Sequence, residues 1–249
     1  MHGIYKFADT LVEIESLCPQ FAEMAHDYKA EVPEDGAGAA FSIVMTQEDI
    51  DAERVHARLQ DEREGIEPRN FSDGYLETLA IYRKLCEKHI ERDVILFHAS
   101  AIEADGKAYL FTAPSGTGKS THARLWREVY GDKVRMINDD KPLLRVHANG
   151  ATVYGTPWDG KHRLSANVSV PLGGICVISR GETNTIKRLR PAEALPHLLR
   201  QIHRPGSAAG SANMTELALK LAAGVPAYAL SCNMEPEAAR VAYGAMKGE

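Results

Sequence analysis

The sequence predicts an α/β sandwich led by a small α+β region, and three observations carry that prediction. From Val94 onward, strand-like and helix-like runs alternate, the pattern of a layered α/β domain. A glycine-rich stretch, APSGTGKST at 113–121, sits between the apolar run AYLFT and the amphipathic run HARLWREVY. A further apolar run, KVRMIND, ends in the pair Asp139-Asp140. The 249 residues hold one large domain, or one domain and a smaller appendage. The change of pattern near Val94 divides them into an α+β region, 1–92, and a main domain, 93–249.

In the first region, GIYKFADTLVEI carries β-branched and aromatic residues in a loose period of two and reads as strand. PQFAEMAHDYKA places Phe21, Met24, Ala25 and Tyr28 on one helix face, and AAFSIVMT reads as a short strand. The densely charged segment from Gln47 to Gly65 reads as a surface helix or a mobile arm. DGYLETLAIYRKLCEKHIER opens with Asp and closes with Lys, His and Arg, the charge order a helix dipole favours.

In the second region, VILFHASAIE reads as a strand, ADGK as a tight turn and KAYLFTA as the returning strand, because Asp-Gly between two apolar runs is a hairpin signal. A helix follows from about Lys119 to Tyr130, and then the strand that ends at Asp139-Asp140. LLRVHANGATVYGT reads as a hairpin around Asn149-Gly150, LGGICVISR as a buried strand, and RPAEALPHLLRQI as a helix with proline in its first turn. RPGSAAGSAN reads as a flexible loop, MTELALKLAAG as a helix ended by Gly224, VPAYALSC as a strand and EPEAARVAYGAM as the last helix.

Composition narrows the function. A net charge of −5 argues against a general nucleic-acid binder, and no apolar run reaches the roughly 18 to 20 residues of a membrane span. MHGIYKFADTLVEIES is acidic and alternating, unlike a signal peptide. Cys18, Cys86, Cys176 and Cys232 are scattered without a CxxC pair, which reads as buried thiols in a reducing cytoplasm.

The stretch APSGTGKST matches the Walker A pattern except that Ala113 stands in the first glycine position. What cradles phosphate is the run of backbone N–H groups over Ser115, Gly116, Thr117, Gly118, Lys119, Ser120 and Thr121, opening onto a helix start. Lys119 is placed to meet β- and γ-phosphates of ATP, and the Ser120 hydroxyl to ligate Mg²⁺. A strand lying parallel would deliver Asp139 and Asp140 beside this loop, one carboxylate for the metal and the other for a hydroxyl proton. A solvated Asp-Asp turn is the plainer account of the same pair. His98, in the strand joined by the hairpin to the loop's own strand, falls near the metal or else is a satisfied core histidine. In YGTPWDGKHRLSAN, the residues Trp158, Asp159, Lys161 and Arg163 crowd one turn; Lys161 and Arg163 would meet developing phosphate charge, or decorate an ordinary charged turn. Arg200 and Arg204 suit a lid or a solvated helix end.

The run FHASAIEADGKAYLFTAPSGTGKST…RMINDD resembles HPr kinase/phosphorylase and ATP-dependent phosphoenolpyruvate carboxykinase. Both place a His-bearing strand, a short turn, the strand into the phosphate loop and a strand ending in Asp-Asp in this order. The resemblance is sharp from about Phe97 to Asp140 and looser from Tyr154 to Glu249. It implies the P-loop sandwich fold of that superfamily. It also implies phosphate and metal roles for Lys119 and Ser120, metal and general-base roles for Asp139 and Asp140, and an active-site role for His98. The glycine-rich signature that follows the Asp-Asp strand in HPr kinases has no counterpart here, and the substrate half of the carboxykinases is missing. The chain is more similar to small HPr-kinase-related proteins, some associated with serine or peptide phosphorylation.

The resulting expectation is an ATP- and Mg²⁺-dependent kinase acting on a serine-type hydroxyl of a peptide, protein or small metabolite, with the region 1–92 recognising the acceptor or a partner. HPr kinases form oligomers, so a homo-oligomer is the corresponding expectation. The alternative is a nucleotide-binding sensor that docks a partner without phosphoryl transfer.

Overall fold

Strands β1 (His2–Phe7) and β2 (Thr10–Glu15) form an antiparallel hairpin whose two-residue turn places Ala8 and Asp9 at positive φ. The computed structural model describes residues 1–31 and 38–248, in two compact units, Met1–Lys88 and His89–Glu249. In the first unit, helix α1 (Pro19–Met24) passes into a 3₁₀ turn at His26–Tyr28, so the expected longer helix stops early. Strand β3 (Phe41–Val44) then joins β2 in parallel to complete a three-stranded sheet.

Helix α2 (Gln47–Glu64) resolves the charged segment as a helix, opened by the reciprocal Thr46–Asp49 capping box and closed by Gly65 at φ 67°. Its inward face buries few apolar groups besides Ile50. It is fastened instead by ion pairs: buried Glu53 to Arg83 at 2.6 Å, buried Asp61 to Arg69, and Asp49 to Lys84 at 2.6 Å. Helix α3 (Asp73–His89) closes the unit, burying Leu76, Ile81 and Leu85.

The second unit is mixed α/β with one curled sheet. Its elements, in order, are β4 (Val94–Leu96), β5 (Ser100–Ala104), β6 (Lys107–Thr112), α4 (Lys119–Tyr130), β7 (Val134–Asn138), β8 (Leu143–His147) and β9 (Gly150–Tyr154). There follow β10 (Ser169–Arg180), β11 (Thr185–Leu189), α5 (Pro191–Gln201), α6 (Ala208–Gly224), β12 (Ala227–Cys232) and α7 (Pro236–Met246). The curl comes from β10. Its first residues pair with β9, and from Leu172 onward it pairs in parallel with β6 and then β12, giving the run β4-β8-β9-β10-β6-β5-β7. Alternation along β6 feeds two cores: Ala108 and Leu110 face the cluster containing α5 and α6, while Tyr109 and Phe111 face the one containing α4 and α7.

Three expectations need correction. VILFHASAIE is two strands, because β4 pairs with β8 while β5 pairs with β6, and the chain crosses between them at 97–99. There Phe97 N–H donates to the Pro142 carbonyl, His98 N–H to Gln201 and Ala99 N–H to Asp140, so each amide finds a partner outside a ladder. RPGSAAGSAN is not a loop throughout: Ser207 caps α6, accepting from Gly210 N–H at 3.0 Å, and small residues fit because a Cβ at Gly210 would lie 2.6 Å from Pro205 Cβ. The hairpin turn after β8 is Ala148-Asn149, since Gly150 already pairs with His147. Strand β11, charged and at the sheet margin beside β12, was not foreseen.

Candidate functional site

Residues 113–118 connect β6 to α4. The turn needs Gly116 and Gly118, which stand at φ 75° and 127°, where a side chain would strain the backbone. Ala113 is buried in the α4–α7 core cluster and its carbonyl accepts a 3.2 Å hydrogen bond from Lys119 Nζ. Gly118 caps α4 without any side-chain bond and the first turn carries no acid, so the helix start offers its amides outward. Ser120 and Thr121 are half-buried in that first turn, and Ser115 is exposed. Burial pulls the Lys119 ammonium below its ordinary pKa, against the opposing charges of Asp140 and Asp139, which places both carboxylates within its field.

Strand β7 runs in the same direction as β6, with β5 between them, so its C-terminal end delivers Asp139 and Asp140 to the edge from which the loop rises. Asn138, fully buried, shapes the turn. Its Oδ1 accepts from the amides of Asp140 at 2.8 Å and Lys141 at 2.6 Å, and its Nδ2 donates to the Thr156 and Trp158 carbonyls at 2.9 and 3.3 Å. Asp139, 6% exposed, accepts 2.6 Å from Ser100 Oγ. Asp140 is more open: its Oδ1 lies 3.1 Å from His98 Nε2 and its Oδ2 3.6 Å from Lys141 Nζ. Burial pushes the Asp140 carboxyl up, but the His98 hydrogen bond and the Lys141 and Lys119 charges outweigh it and hold it below the usual carboxylate range. His98 is fixed by its own backbone, N–H to Gln201 and C=O from Thr112 Oγ1 at 3.0 Å.

The turn after β9 leans on this pair. Gly160, at φ 72°, approaches so closely that a Cβ would sit 3.1 Å from Asp140 Cβ. Trp158 is buried, and Asp159 accepts 2.9 Å from Ser165 Oγ. Burial raises the Asp159 pKa. Lys161 and Arg163 are exposed and make no hydrogen bond to Asp139 or Asp140; Arg163 acts electrostatically on Asp159. Arg200 is exposed in the last turn of α5, and Arg204 is exposed in the segment that follows the helix.

On the other flank of the loop lies a cavity of about 420 Å³, bounded by the loop glycines, Thr121, His122, Leu125, Ile178 and Met234. Arg180 stands at its wall and donates from Nη2 to the Gly116 carbonyl at 2.6 Å. His122, 2% exposed, accepts from Trp126 Nε1–H on Nε2 at 3.0 Å, and burial pushes its pKa down to about 4. A smaller cavity in the N-terminal unit, about 200 Å³, is lined by Arg54, Arg58, Arg69 and Phe71. Arg54 and Arg69 are already paired with Asp73 and Asp61.

Ser100, Asn138, His122 and Arg180 are the residues sequence reasoning missed. Only Asn138 left a signal, an Asn heading an Asp-Asp pair, the residue type that folds back on amides two and three positions on. Among the described residues no three or more His, Cys, Asp or Glu side chains gather as a metal cage. Nor is any helix among them long and apolar enough to cross a membrane.

Residues 73–237, about two thirds of the chain, match the family described as SynChlorMet cassette protein ScmC. No curated protein matches in sequence. Among solved structures, the Hpr(Ser) kinase/phosphatase from Coxiella burnetii is a loose likeness, with a TM-score of 0.36 and 12% identity over 61% of this chain and 99% of that one.

Proposed function

The chain belongs to the SynChlorMet cassette protein ScmC family, and from that premise we propose that it is an ATP- and Mg²⁺-dependent phosphotransferase acting on a serine-type hydroxyl of a peptide, protein or small metabolite. The observation that carries the reading is the meeting, at one sheet edge, of a buried ammonium, an uncapped helix start and two carboxylates in the ammonium's field. Phosphoryl transfer needs little else from a protein, since it proceeds by positioning and charge neutralisation.

Each residue then has a task. The amides from Ser115 to Thr121 and the Lys119 ammonium hold the phosphates, Lys119 exchanging its bond to the Ala113 carbonyl for phosphate oxygen. The donor set Ser120, Asp139 and Asp140 is all oxygen, which suits Mg²⁺; that ion takes one or two carboxylates and completes its shell with phosphate and water, so no protein cage is required. Bound Mg²⁺ would neutralise charge on the transferring group. Asp139, buried and oriented by Ser100, is the metal-side carboxylate. Asp140, ionised at neutral pH and more open to solvent, takes the acceptor's proton, with His98 holding its orientation. Lys161 and Arg163, in the turn that touches Asp140 through Gly160, are placed to meet the acceptor side.

The test is an acceptor screen with γ-labelled ATP. Wild type should label an acceptor, and Lys119→Ala should lower the rate by at least about 10²-fold, the usual cost of losing one charge-stabilising donor. Asp140→Asn should abolish transfer while nucleotide still binds. If nucleotide binds tightly, no acceptor exceeds water, and partner binding survives Asp140→Asn, the chain is a sensor and the kinase reading is lost.

A further inference from the structure

The charge of the chain is unevenly divided. Residues 1–88 carry 9 Lys and Arg against 19 Asp and Glu, a formal −10, whereas residues 89–249 carry 20 against 15, a formal +5. The net −5 of the whole chain thus conceals a second unit with a basic surplus, and a charge of that sign favours anionic partners. We infer that the acceptor is an acidic peptide segment, its hydroxyl flanked by carboxylates that meet a cationic rim around Asp140. The inference rests on the phosphotransferase reading and adds the chemical class of the acceptor.

Three chain segments supply the rim. Lys141 follows Asp140 directly, its Nζ 3.6 Å from Asp140 Oδ2. The turn after β9 carries Lys161 and Arg163, both exposed, and reaches Asp140 through Gly160, where a Cβ would lie 3.1 Å from Asp140 Cβ. That turn bends at Gly160, φ 72°, and again at Arg163, φ 50°. Arginine is an uncommon occupant of the left-handed region, and outliers of this kind cluster at functional sites. The third segment follows α5. Residues 201–203 lie antiparallel to 96–98, with His98 N–H donating to the Gln201 carbonyl at 2.9 Å and His203 N–H to Leu96 at 3.1 Å. Arg200 and Arg204, both exposed, flank this pairing, which holds the histidine that touches Asp140.

These charges are not consumed within the protein. Among the described residues, Lys161, Arg163, Arg200 and Arg204 form no ion pair and no side-chain hydrogen bond. The carboxylates nearby have partners of their own: Asp139 has Ser100 Oγ at 2.6 Å, Asp140 has His98 at 3.1 Å and Asp159 has Ser165 Oγ at 2.9 Å. By contrast Arg124, Arg135 and Lys220 are spent on Glu128, Glu103 and Glu216. An exposed ion pair changes an affinity by only about 2- to 5-fold, so selectivity here needs several pairs at once. A peptide can supply them, because its successive side chains reach cations on separate segments. A compact metabolite offers its charge at one point.

The test presents the full chain with γ-labelled ATP and short peptides whose central serine is flanked by glutamates, glutamines or lysines. The glutamate peptide should exceed the glutamine peptide by roughly 10-fold in kcat/KM, and the lysine peptide by roughly 10²-fold. Its advantage over glutamine should shrink as salt rises from about 50 to about 300 mM, because exposed charges are screened. Lys161→Glu combined with Arg163→Glu should reverse the order, favouring the lysine peptide, with ATP affinity by calorimetry little changed; loss of a merely structural contact would slow all three peptides alike. Arg200→Glu combined with Arg204→Glu should narrow the preference from the other segment. Equal labelling of the glutamate and glutamine peptides, or a preference untouched by both double variants, overturns the acidic acceptor and leaves the phosphotransferase reading standing. Labelling confined to a small hydroxy acid such as glycerate does the same. ATP binding with no hydroxyl probe labelled above water removes the phosphotransferase reading and this inference with it. Should the variants misfold, seen in their melting curves, the peptide order and its salt dependence on wild type decide the matter.

Discussion

Replacing Asn138 by alanine tests whether the carboxylate turn is held by one buried amide. Asn138 is 0% exposed and bonds to four backbone groups, accepting from the amides of Asp140 and Lys141 and donating to the carbonyls of Thr156 and Trp158. Alanine leaves all four without that partner. A buried group left unpaired costs about 1–3 kcal/mol. The two amides belong to half-buried residues, so the lower end applies, about 1 kcal/mol each. The two carbonyls and the space vacated by the side chain add about 1 kcal/mol more. The sum is about 3 kcal/mol, which at a urea m-value of about 2 kcal/mol/M moves the midpoint down by about 1.5 M. Both tryptophans of the chain, Trp126 and Trp158, lie in the second unit, so their fluorescence reports this unfolding directly. His162→Ala, an exposed change in the neighbouring turn, should stay within about 0.5 kcal/mol. Because the turn orients Asp139 and Asp140, the proposed phosphotransferase reading expects transfer to fall much further in Asn138→Ala than ATP affinity does. A midpoint shift under about 0.5 M would show that the strand and the Trp158 turn hold the carboxylates unaided, and the reasoning would fail.

Gly155→Ala should be among the most damaging single changes, since its Cβ would lie 1.9 Å from the Ala166 carbonyl oxygen and 2.8 Å from that of Ile137. A loss of about 3 kcal/mol or more, read as a melting temperature lower by roughly 6–12 °C, is expected; a normal melting curve would mean that the 155–166 contact is not formed. In the N-terminal unit, the Arg69 hydrogen bonds hold the Asp61 carboxyl below its ordinary pKa. Burial pushes Asp49 up, but Lys84 and Thr46 outweigh it, and its pKa is lowered too. Carboxyls depressed in the folded state add stability that is complete above the unfolded pKa of about 4 and disappears as pH falls through the folded values. Hydrogen-exchange protection of α2 should therefore fade below about pH 4 before that of α3, and α2 amides that stay protected at the lowest pH tested would contradict an ion-pair-fastened helix.

Local signals made the skeleton legible. The glycines, Lys119 and a strand–loop–helix order sit within nine residues, and the apolar run before Asp139-Asp140 marks a strand end. What the sequence could not convey is where those ends meet. His98 reaches Asp140 not from the middle of a strand but from the break between β4 and β5, which the Ala99 amide fastens to the Asp140 carbonyl. That break depends on β8, whose pairing with β4 draws the chain into the other half of the sheet. Ser100 finds Asp139 across 39 residues, and Arg180 finds Gly116 across 64. Such contacts follow from sheet order and leave no periodic mark. The charged α2 gave weak apolar periodicity for the same kind of reason: its inward positions Glu53 and Asp61 are polar, and their partners lie on later residues.

The alanine at 113 shows how the demands within the loop divide. That residue stands at the end of β6, its methyl 1% exposed in the core with Ala123 and Trp126, and it contributes only a carbonyl to the site, the one that holds Lys119. A carbonyl is available from any residue, and a methyl there adds packing, so glycine offers no advantage at that position. The positive φ values fall later, at Gly116 and Gly118, where no Cβ would collide with anything nearer than 4.0 Å yet the backbone angle itself disfavours one. The constraint at those two sites is conformational rather than steric. It follows that Ala113→Gly would lose buried methyl contacts without opening the loop, whereas Gly118→Ala would strain the turn that presents the first amides of α4.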